Sequence, residues 1–297
     1  MKVLNFGSLN LDHVYRVEHF VQPGETLSAV SQSVNPGGKG LNQSIALARA
    51  GAEIYHAGCV GQQGGSLGAL LRENGVNTEH LLAVDALQGN AVIQVNAAGE
   101  NCIILYGGSN QCVTEEQVRH TLSCFAPGDW LVLQNEINQL PLIVDTAYEL
   151  GLKIALNPSP YNEKLAAVDF GKLNWLLVNE VEVGQLSGSK SPEEAWRQLN
   201  ARYPEISLLV TLGGEGSAAF TAAEIVRQAA FPAVAVDTTA AGDTYTGYFI
   251  AGLVEGCPLA ECTRRASMAA SISVTRIGAA ESIPTREEVE KRLEDIV

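Results

Sequence analysis

The six cysteines of this 297-residue chain include no pair in the CxxC spacing. That spacing is typical of zinc and redox sites, so its absence argues against a metal–thiolate centre. No export signal is recognisable either, which argues against disulfides. We therefore expect the cysteines to be small buried side chains. They are Cys59, Cys102, Cys112, Cys124, Cys257 and Cys262.

Positive charge is scarce, with 19 Lys and Arg against 33 Asp and Glu and a formal net charge of −14. Nucleic-acid binding depends on clustered basic residues that neutralise phosphates, and no basic run is present. We therefore expect no nucleic-acid partner. A small phosphorylated ligand is compatible with this charge, because a local group of backbone N–H donors can bind it.

Long apolar runs are missing too, since no stretch reaches the roughly 18 residues of a membrane span. The first residues, MKVLNFGSLNLD, lack the apolar core and cleavage site of a signal peptide. We expect a cytoplasmic protein with no membrane partner. The patterns GxxxxGK[ST] and GxGxxG are absent, which argues against a Walker phosphate loop and a dinucleotide-dependent dehydrogenase.

Short apolar runs alternate with segments of helical period along most of the chain. The runs are VLNFG, EIYHAGCV, WLVLQ, KIALN, WLLVN and SLLVT. Predicted helices cover LNQSIALARAG and residues 67–74, 140–150, 181–186, 193–201, 242–255, 259–274 and 286–296. Near-continuous apolar strands are typical of a parallel sheet covered on both faces. The pattern predicts an α/β fold of three layers, with a mostly parallel Rossmann-like sheet and one domain over residues 1–297.

Two regions, about 12–34 and 81–106, alternate like strands but lack an intervening helix. We expect them to pair into a small β lid over the carboxyl ends of the main strands. Two separate surface hairpins would give the same pattern.

Polar residues follow nearly every predicted strand, and ligands of wound parallel sheets bind at those strand ends. Each could instead cap a helix or bond its own backbone. They are Asn10, Asp12, Glu136, Asn157, Asn179, Glu182 and Thr211, the last followed by Gly213, Gly214 and Gly216. A glycine-rich helix entry at residues 36–42 adds Lys39 and Asn42. Such amide, carboxylate and ammonium groups suit a neutral ligand with several hydroxyls.

The segment VDTTAAGDTYT, residues 236–246, is the most informative. Ala240, Ala241 and Gly242 allow close approach of a ligand to the backbone, and the first turn of a helix favours an anion such as phosphate. Asp243 beside them could serve as a base. A helix with an acidic first turn gives the same residues, because that arrangement is favoured by the helix dipole alone.

These segments together resemble the ribokinase family, the phosphofructokinase-B group of sugar kinases. GGKGLNQ at residues 37–43 resembles the amino-terminal signature of the family, and DTTAAGD at 237–243 the carboxyl-terminal one. NEVE at 179–182, TLGGEG at 211–216 and SVTRIGA at 273–279 resemble its NxxE element, nucleotide loop and monovalent-cation segment. The resemblance implies a ribokinase-like fold with a β lid and an ATP-dependent carbohydrate kinase, often dimeric through the lid.

The resemblance also implies a role for each matching residue. Asp243 would be the catalytic base, with Ala240, Ala241 and Gly242 forming the anion site. The sugar would be bound by Asn10, Asp12, Gly38, Lys39, Gly40, Asn42, Glu136 and Asp243. ATP would be bound by Asn179, Glu182, Thr211, Gly213, Gly214, Gly216, Gly242 and Ser267, with Glu182 helping to place Mg²⁺ through water. Potassium would be bound by Asp237, Thr239, Ser273, Arg276, Gly278 and Ser282.

The expected reaction is phosphorylation of D-ribose to ribose 5-phosphate. Departures from the family pattern at Gln62 and Gln63, and at Gln88 and Asn90, fall beside the expected sugar pocket and leave a nucleoside, another pentose or a ketohexose open as the substrate. A catalytically silent sugar-binding regulator on the same fold is the alternative outside the enzyme class.

Overall fold

The computed structural model describes residues 1–296, which contain thirteen strands and nine α-helices. The strands are β1 (Val3–Phe6), β2 (Asn10–Arg16), β3 (Ser31–Gly37), β4 (Ile54–Gln62), β5 (Asn77–Leu87), β6 (Asn90–Val95), β7 (Asn101–Tyr106), β8 (Trp130–Gln134), β9 (Lys153–Asn157), β10 (Trp175–Asn179), β11 (Ser207–Thr211), β12 (Ser217–Phe220) and β13 (Ile225–Gln228). The helices are α1 (Lys39–Arg49), α2 (Gly65–Glu73), α3 (Glu115–Leu122), α4 (Leu140–Glu149), α5 (Glu180–Ser187), α6 (Pro192–Arg202), α7 (Ala241–Glu255), α8 (Leu259–Ser273) and α9 (Arg286–Glu294).

The main sheet has nine strands in the order β13-β12-β11-β10-β9-β8-β1-β4-β5, all parallel from β11 to β5. Side chains alternate between its two faces, as period-two geometry requires. Val132 lies in the core beneath α1, α7 and α8, whereas its neighbour Leu131 lies in the core beneath α3 to α6. The prediction of a three-layer, mostly parallel α/β fold is confirmed.

Three strands of this sheet and one helix beside it were not predicted. The antiparallel hairpin of β12 and β13 extends one edge, and its SAAF and IVRQ strands are too short and mixed to give a clear pattern. Helix α3 is capped by the Thr114 side chain, which accepts a hydrogen bond from the N–H of Gln117 at 3.1 Å. Strand β5 forms the other edge.

The second sheet has four strands in the order β3-β2-β6-β7, and we call it the small sheet. The expectation that the second segment of this sheet begins at residue 81 is wrong. Residues 81–87 belong to β5, which pairs in parallel with β4 as far as the Gln62–Leu87 pair. An edge strand of the main sheet and a lid strand alternate alike in sequence, and only the turn at Gln88 and Gly89 separates them.

Within the described chain, no helix has the length and apolarity needed to cross a bilayer. All six cysteines are free. Cys59 and Cys262 are buried as expected, whereas Cys102 and Cys124 are exposed, contrary to the expectation. Residues 1–296 contain no group of three His, Cys, Asp or Glu side chains arranged to hold a metal ion.

Candidate active site

The first turn of α7 carries two backbone N–H groups that have no acceptor within residues 1–296. Ala240 lies in the left-handed region, at φ 59° and ψ 11°, and the right-handed helix begins at the next residue. This change of hand turns successive N–H groups toward one point, an arrangement typical of anion-binding nests. Across residues 1–296, the N–H groups of Gly242 and Asp243 have no acceptor, while Ala241 donates to the Thr238 carbonyl at 3.3 Å.

The Asp243 carboxylate lies beside this turn and is only 9% exposed. Asn42 Nδ2 donates to its Oδ2 at 3.0 Å, and Gln43 Nε2 donates to its Oδ1 at 2.9 Å. Each oxygen therefore has one amide partner and keeps a second acceptor position. Charge-assisted bonds of this kind hold a carboxylate in one orientation. Asn42, expected as a sugar ligand, thus also holds Asp243.

The glycine-rich entry to α1 brings Lys39 to the same place. Gly38 has φ 93°, and a Cβ at Gly40 would lie 2.3 Å from the Ser8 nitrogen, so the helix starts in contact with the end of β1. The Lys39 ammonium has no carboxylate within ion-pair distance among the described residues. Burial lowers its pKa, but the nearby charges of Asp243, Glu136 and Glu182 outweigh that effect and the pKa is raised.

Glu136 follows β8 and turns back toward the start of α1. Its Oε2 accepts hydrogen bonds from the Ser8 hydroxyl and, at 3.1 Å, from the Lys39 N–H. Burial raises the pKa of this carboxyl, and the charge of Lys39 opposes the shift. Glu136 is therefore braced by main chain and hydroxyl donors beside a lysine.

Asn10 and Asp12 lie on β2, the strand that leads into the small sheet. Asn110 Nδ2 donates to Asn10 Oδ1 at 2.7 Å, which leaves the Asn10 amide N–H groups for a ligand. The pKa of Asp12 is raised to about 7, chiefly by burial and further by the charges of Glu136 and Asp243. The carboxylates expected to bind sugar therefore lie close to the expected base.

A cavity of about 250 Å³ joins the two signature segments. It is lined by seven of the expected site residues, namely Lys39, Asn179, Glu182, Thr211, Ala240, Gly242 and Asp243. Asn157 lines it as well, but its side chain is occupied by the Leu177 carbonyl and the Ser159 N–H. The structure thus brings the expected base Asp243, the Lys39 ammonium and the NxxE element into one pocket.

Asn179 and Glu182 form a capping box at the start of α5. Asn179 Oδ1 accepts from the N–H groups of Val181 and Glu182, both at 2.9 Å, and Glu182 Oε2 accepts from the Asn179 N–H at 3.1 Å. The helix-capping alternative is therefore correct for Asn179. The cap leaves the Asn179 amide N–H groups and the other oxygen of Glu182 unbonded within residues 1–296.

Gly213, Gly214 and Gly216 form a tight turn after β11 that does not line this cavity. A Cβ at Gly216 would lie 2.0 Å from the Gln228 carbonyl, so this glycine is needed for packing against β13. Ser267 on α8 is buried and donates to the Ala229 carbonyl at 3.3 Å. None of these four residues lines the cavity.

The expected potassium residues lie on two adjoining segments. Asp237 Oδ1 accepts from the Thr239 N–H at 2.9 Å, and Asp237 Oδ2 accepts from the Gly278 N–H at 3.0 Å. Ser273 and Ser282 lie near Gly278 in sequence and are fully buried. The Arg276 guanidinium pairs with Glu288. Asp237 thus ties the loop before α7 to the loop after α8.

The four residues that depart from the family pattern, three glutamines and Asn90, have structural roles that the sequence did not predict. Gln88 is buried, where its Oε1 accepts from the Gly61 N–H at 2.9 Å and its Nε2 donates to the Leu9 carbonyl at 2.6 Å. Gln62 donates to Asp85 at 2.8 Å at the edge of the main sheet. Gln63 occupies a left-handed turn at φ 70°, and Asn90 donates to the Gln88 carbonyl at 3.1 Å.

Three site residues were not assigned a role from the sequence. Gln43 bonds the Asp243 carboxylate, Ser8 bonds Glu136, and Asn110 orients Asn10. Gln43 follows Asn42 within the glycine-rich signature, which was the available signal. Ser8 and Asn110 carry no local signal, because their partners are 128 and 100 residues away in sequence.

A carboxylate held by two amide donors, beside unpaired backbone N–H groups at the carboxyl ends of a parallel sheet, is the arrangement expected of a protein that acts on a phosphorylated ligand. The sequence profile of the pfkB family carbohydrate kinase matches residues 1–286. The chain therefore belongs to the pfkB family of carbohydrate kinases.

Three of its relatives resemble it over nearly their whole length. A ribokinase of Haemophilus influenzae is 35% identical, with 97% of each chain covered. The ribokinase of Cryptococcus neoformans var. grubii in complex with ADP is 32% identical with a TM-score of 0.85, covering 98% of this chain and 99% of that one. Arabidopsis thaliana ribokinase complexed with ribose and ATP is 30% identical with a TM-score of 0.81, covering 99% and 98%.

Proposed function

We propose that this chain transfers the γ-phosphate of ATP to the primary hydroxyl of D-ribose and releases ribose 5-phosphate and ADP. The observation that carries the proposal is the buried Asp243 carboxylate beside the unpaired N–H groups of the α7 first turn. Phosphoryl transfer to a hydroxyl needs a proton acceptor next to a site that stabilises charge on the migrating group. The named activities of the relatives support ribose as the acceptor.

Asp243 is the general base in this proposal. Its Oδ1 and Oδ2 are each held by one amide donor, and the remaining acceptor position of one oxygen takes the proton of the sugar hydroxyl. The N–H groups of Gly242 and Asp243, together with Lys39, then stabilise negative charge on the transferred group. Ala240 and Ala241 contribute through the turn that aims these N–H groups.

The sugar is held by groups that keep an unused polar atom facing the site. Asn42 Oδ1 is buried and has no hydrogen-bond partner within residues 1–296, so a sugar hydroxyl can supply its missing donor. Asn10 offers amide N–H groups, and Asp12 and Glu136 offer carboxylate oxygens. Gly38 and Gly40 let the start of α1 pack closely on Ser8 and Asn10, which brings Lys39 and Asn42 to the sugar end.

The ATP side fits the unused atoms of the NxxE cap and the turn after β11. Asn179 and Thr211 line the cavity, and we propose that the turn of Gly213, Gly214 and Gly216, which follows Thr211, and Ser267 contact the rest of the nucleotide. The free oxygen of Glu182 suits a water of Mg²⁺, an ion that keeps several waters when bound to phosphates. The metal would neutralise charge on those phosphates.

The loop before α7 fits a monovalent cation. The carbonyl oxygens of Asp237, Thr239, Arg276 and Gly278 accept no hydrogen bond within residues 1–296, although Asp237 joins their two loops. Unpaired oxygens on adjoining loops are suitable ligands for K⁺, with Ser273 and Ser282 beside them. We propose that K⁺ binding there fixes the loop that precedes the anion nest.

The small sheet supports a homodimer. Val34, Val92 and Ile104 lie in one cross-strand row with His13, and are 48%, 36% and 64% exposed. Such a row of exposed aliphatic side chains favours burial against a second copy. Asp12 lies in the neighbouring row, on the opposite face of the same sheet. We propose that this face pairs two lids, and that the enzyme acts in the cytoplasm.

A panel of acceptors tests the proposed function. ADP release is measured with D-ribose, other pentoses, ketohexoses and nucleosides, each with K⁺ and with Na⁺. We expect D-ribose to give the highest kcat/KM and K⁺ to support faster turnover than Na⁺. A nucleoside or ketohexose as best acceptor would contradict the assigned sugar, and equal rates in both salts would contradict the cation site. Tight ribose binding without ADP release would indicate a silent regulator.

A further inference from the structure

A network of hydrogen-bonded, buried side chains extends from Asp243 into the protein, and we call it the amide network. Gln43, whose Nε2 bonds the carboxylate, accepts a hydrogen bond at its Oε1 from Gln134 Nε2 at 2.7 Å. Gln134 Nε2 also donates to Asn5 Oδ1 at 3.0 Å. All three amides are fully buried between the main sheet and α1. Buried polar groups are costly unless they are bonded, so a polar chain at this depth needs an explanation.

The end of the amide network farthest from Asp243 fixes the orientation of each amide group in it. Asn5 Nδ2 donates to the Gly40 carbonyl at 2.9 Å, and a main-chain carbonyl can only accept. Asn5 must therefore present its oxygen to Gln134, and Gln134 must present its amide N–H groups to both Asn5 and Gln43. Gln43 is left with only one orientation, in which its N–H groups point at Asp243.

A second branch of the amide network runs from Asn5 to Ser44 and His56, and its protonation does not change near neutral pH. Asn5 Nδ2 donates to Ser44 Oγ at 2.9 Å, and the Ser44 hydroxyl lies 2.8 Å from His56 Nδ1. Burial lowers the pKa of His56 to about 3, so the imidazole is neutral and Nδ1 can accept the hydroxyl proton. The Ser44 hydroxyl therefore keeps its oxygen toward Asn5.

We infer that Gln43 and Gln134 are positioning residues for the base, with Gln134 acting through Gln43. Without Gln134, Gln43 Oε1 loses its only hydrogen-bond donor within residues 1–296, and the Gln43 side chain is no longer fixed where it bonds Asp243. The inference rests on the proposed function, because it assigns Asp243 as the base. Gln43 touches the carboxylate and no expected ligand, whereas Gln134 touches only other protein groups.

The test uses Gln43→Met, Gln134→Met and the double variant in the full-length chain. Methionine keeps the length of the side chain but removes its donors and acceptor. We expect each single variant to lower kcat by about 10- to 100-fold, with KM for sugar and ATP within about twofold of wild type. Calorimetric binding of the sugar gives the fraction of competent sites, so that misfolded protein is not counted as slow enzyme.

Because Gln134 acts through Gln43, the double variant should turn over at about the rate of Gln43→Met alone. Gln117→Met is the matched control, since Gln117 is also a buried amide but bonds Gly58 and Cys59 instead of the site. It should keep wild-type kcat per competent site. Multiplied losses in the double variant, a raised KM without loss of kcat, or an equal loss in the control would overturn the inference. A wild type that phosphorylates no sugar would instead contradict the proposed function on which it rests.

Discussion

The phosphate end and the sugar end of the candidate site are built differently. The phosphate end consists of backbone N–H groups of α7 and one carboxylate with both oxygens bonded. The sugar end consists of side chains from β2, the α1 entry and the end of β8, and the pKa of Asp12 and of Glu136 is raised there. The first is contiguous in sequence, and the second is assembled from distant segments. The reaction type is therefore encoded locally, whereas substrate choice depends on tertiary structure.

The largest expected effect comes from removing the base. Asp243→Asn should lower kcat by about 10²- to 10⁴-fold, because the sugar hydroxyl loses its proton acceptor. Sugar binding should persist, since the side chains of the sugar end are unchanged. Steady-state ADP release and calorimetry measure the two effects separately. Turnover within about tenfold of wild type would contradict the assignment of the base.

Gly242→Ala tests the space reserved for the phosphate. A Cβ at Gly242 meets no protein atom within 4 Å, and the same is true of Gly65 in the first turn of α2. Both alanine variants should gain about 0.5 kcal/mol of unfolding free energy, because alanine restricts the unfolded chain. Only Gly242→Ala should lose catalytic efficiency, by about tenfold or more, since its methyl group would occupy the anion site.

Urea unfolding gives the two stabilities, and kcat/KM for ATP gives the activity. Equal activity of the Gly242 and Gly65 variants would show that the α7 turn does not receive the phosphate. Both glycines lie in the first turn of a helix, so the comparison controls for a general effect of the added methyl group.

Asp12→Asn tests how much the ionised Asp12 carboxylate at the sugar end lowers the free energy of unfolding. The pKa of Asp12 is about 7 in the folded chain, above its ordinary value of 3.8, so its stabilising contribution is fully present below pH 3.8 and is lost as the pH rises through 7. Asparagine does not titrate. The stability of the variant relative to wild type should therefore increase between pH 5 and pH 8, on the order of 1 kcal/mol.

Urea unfolding without sugar at the two pH values measures this difference, and sugar affinity at pH 8 should fall in the same variant. A relative stability that stays constant with pH would contradict the raised pKa. A gain in stability together with a loss of affinity would show that binding groups at the sugar end are kept at the expense of stability.

The smallest expected effect on chemistry comes from the small sheet. Ile104→Lys should shift the protein from dimer to monomer, because a charge in the apolar row opposes its burial, while kcat changes by less than about tenfold. Ile225→Lys is the control, since Ile225 is 54% exposed on the far edge of the main sheet. Light scattering after size exclusion measures both masses. A dimer that withstands Ile104→Lys would place the interface elsewhere.

The contiguous parts of the fold and site could be predicted from sequence. Apolar runs located the central strands, and residues 236–246 located the helix start with its acidic residue. The edges could not be predicted, because residues 81–87 alternate like a strand of either sheet, and β12 and β13 are too short and mixed to give a clear pattern. The partner of a buried amide is equally hidden. Gln43 and Gln134 are 91 residues apart, and only the folded chain brings them to Asp243.

The central claim is transfer of phosphate from ATP to the primary hydroxyl of a sugar. Its most direct test is the structure of the product formed from D-ribose and ATP by wild-type protein, determined by phosphorus and carbon NMR of the reaction mixture. We predict ribose 5-phosphate, formed in equal amount with ADP. Ribose phosphorylated at another hydroxyl, or ADP formed without any sugar phosphate, would contradict the claim.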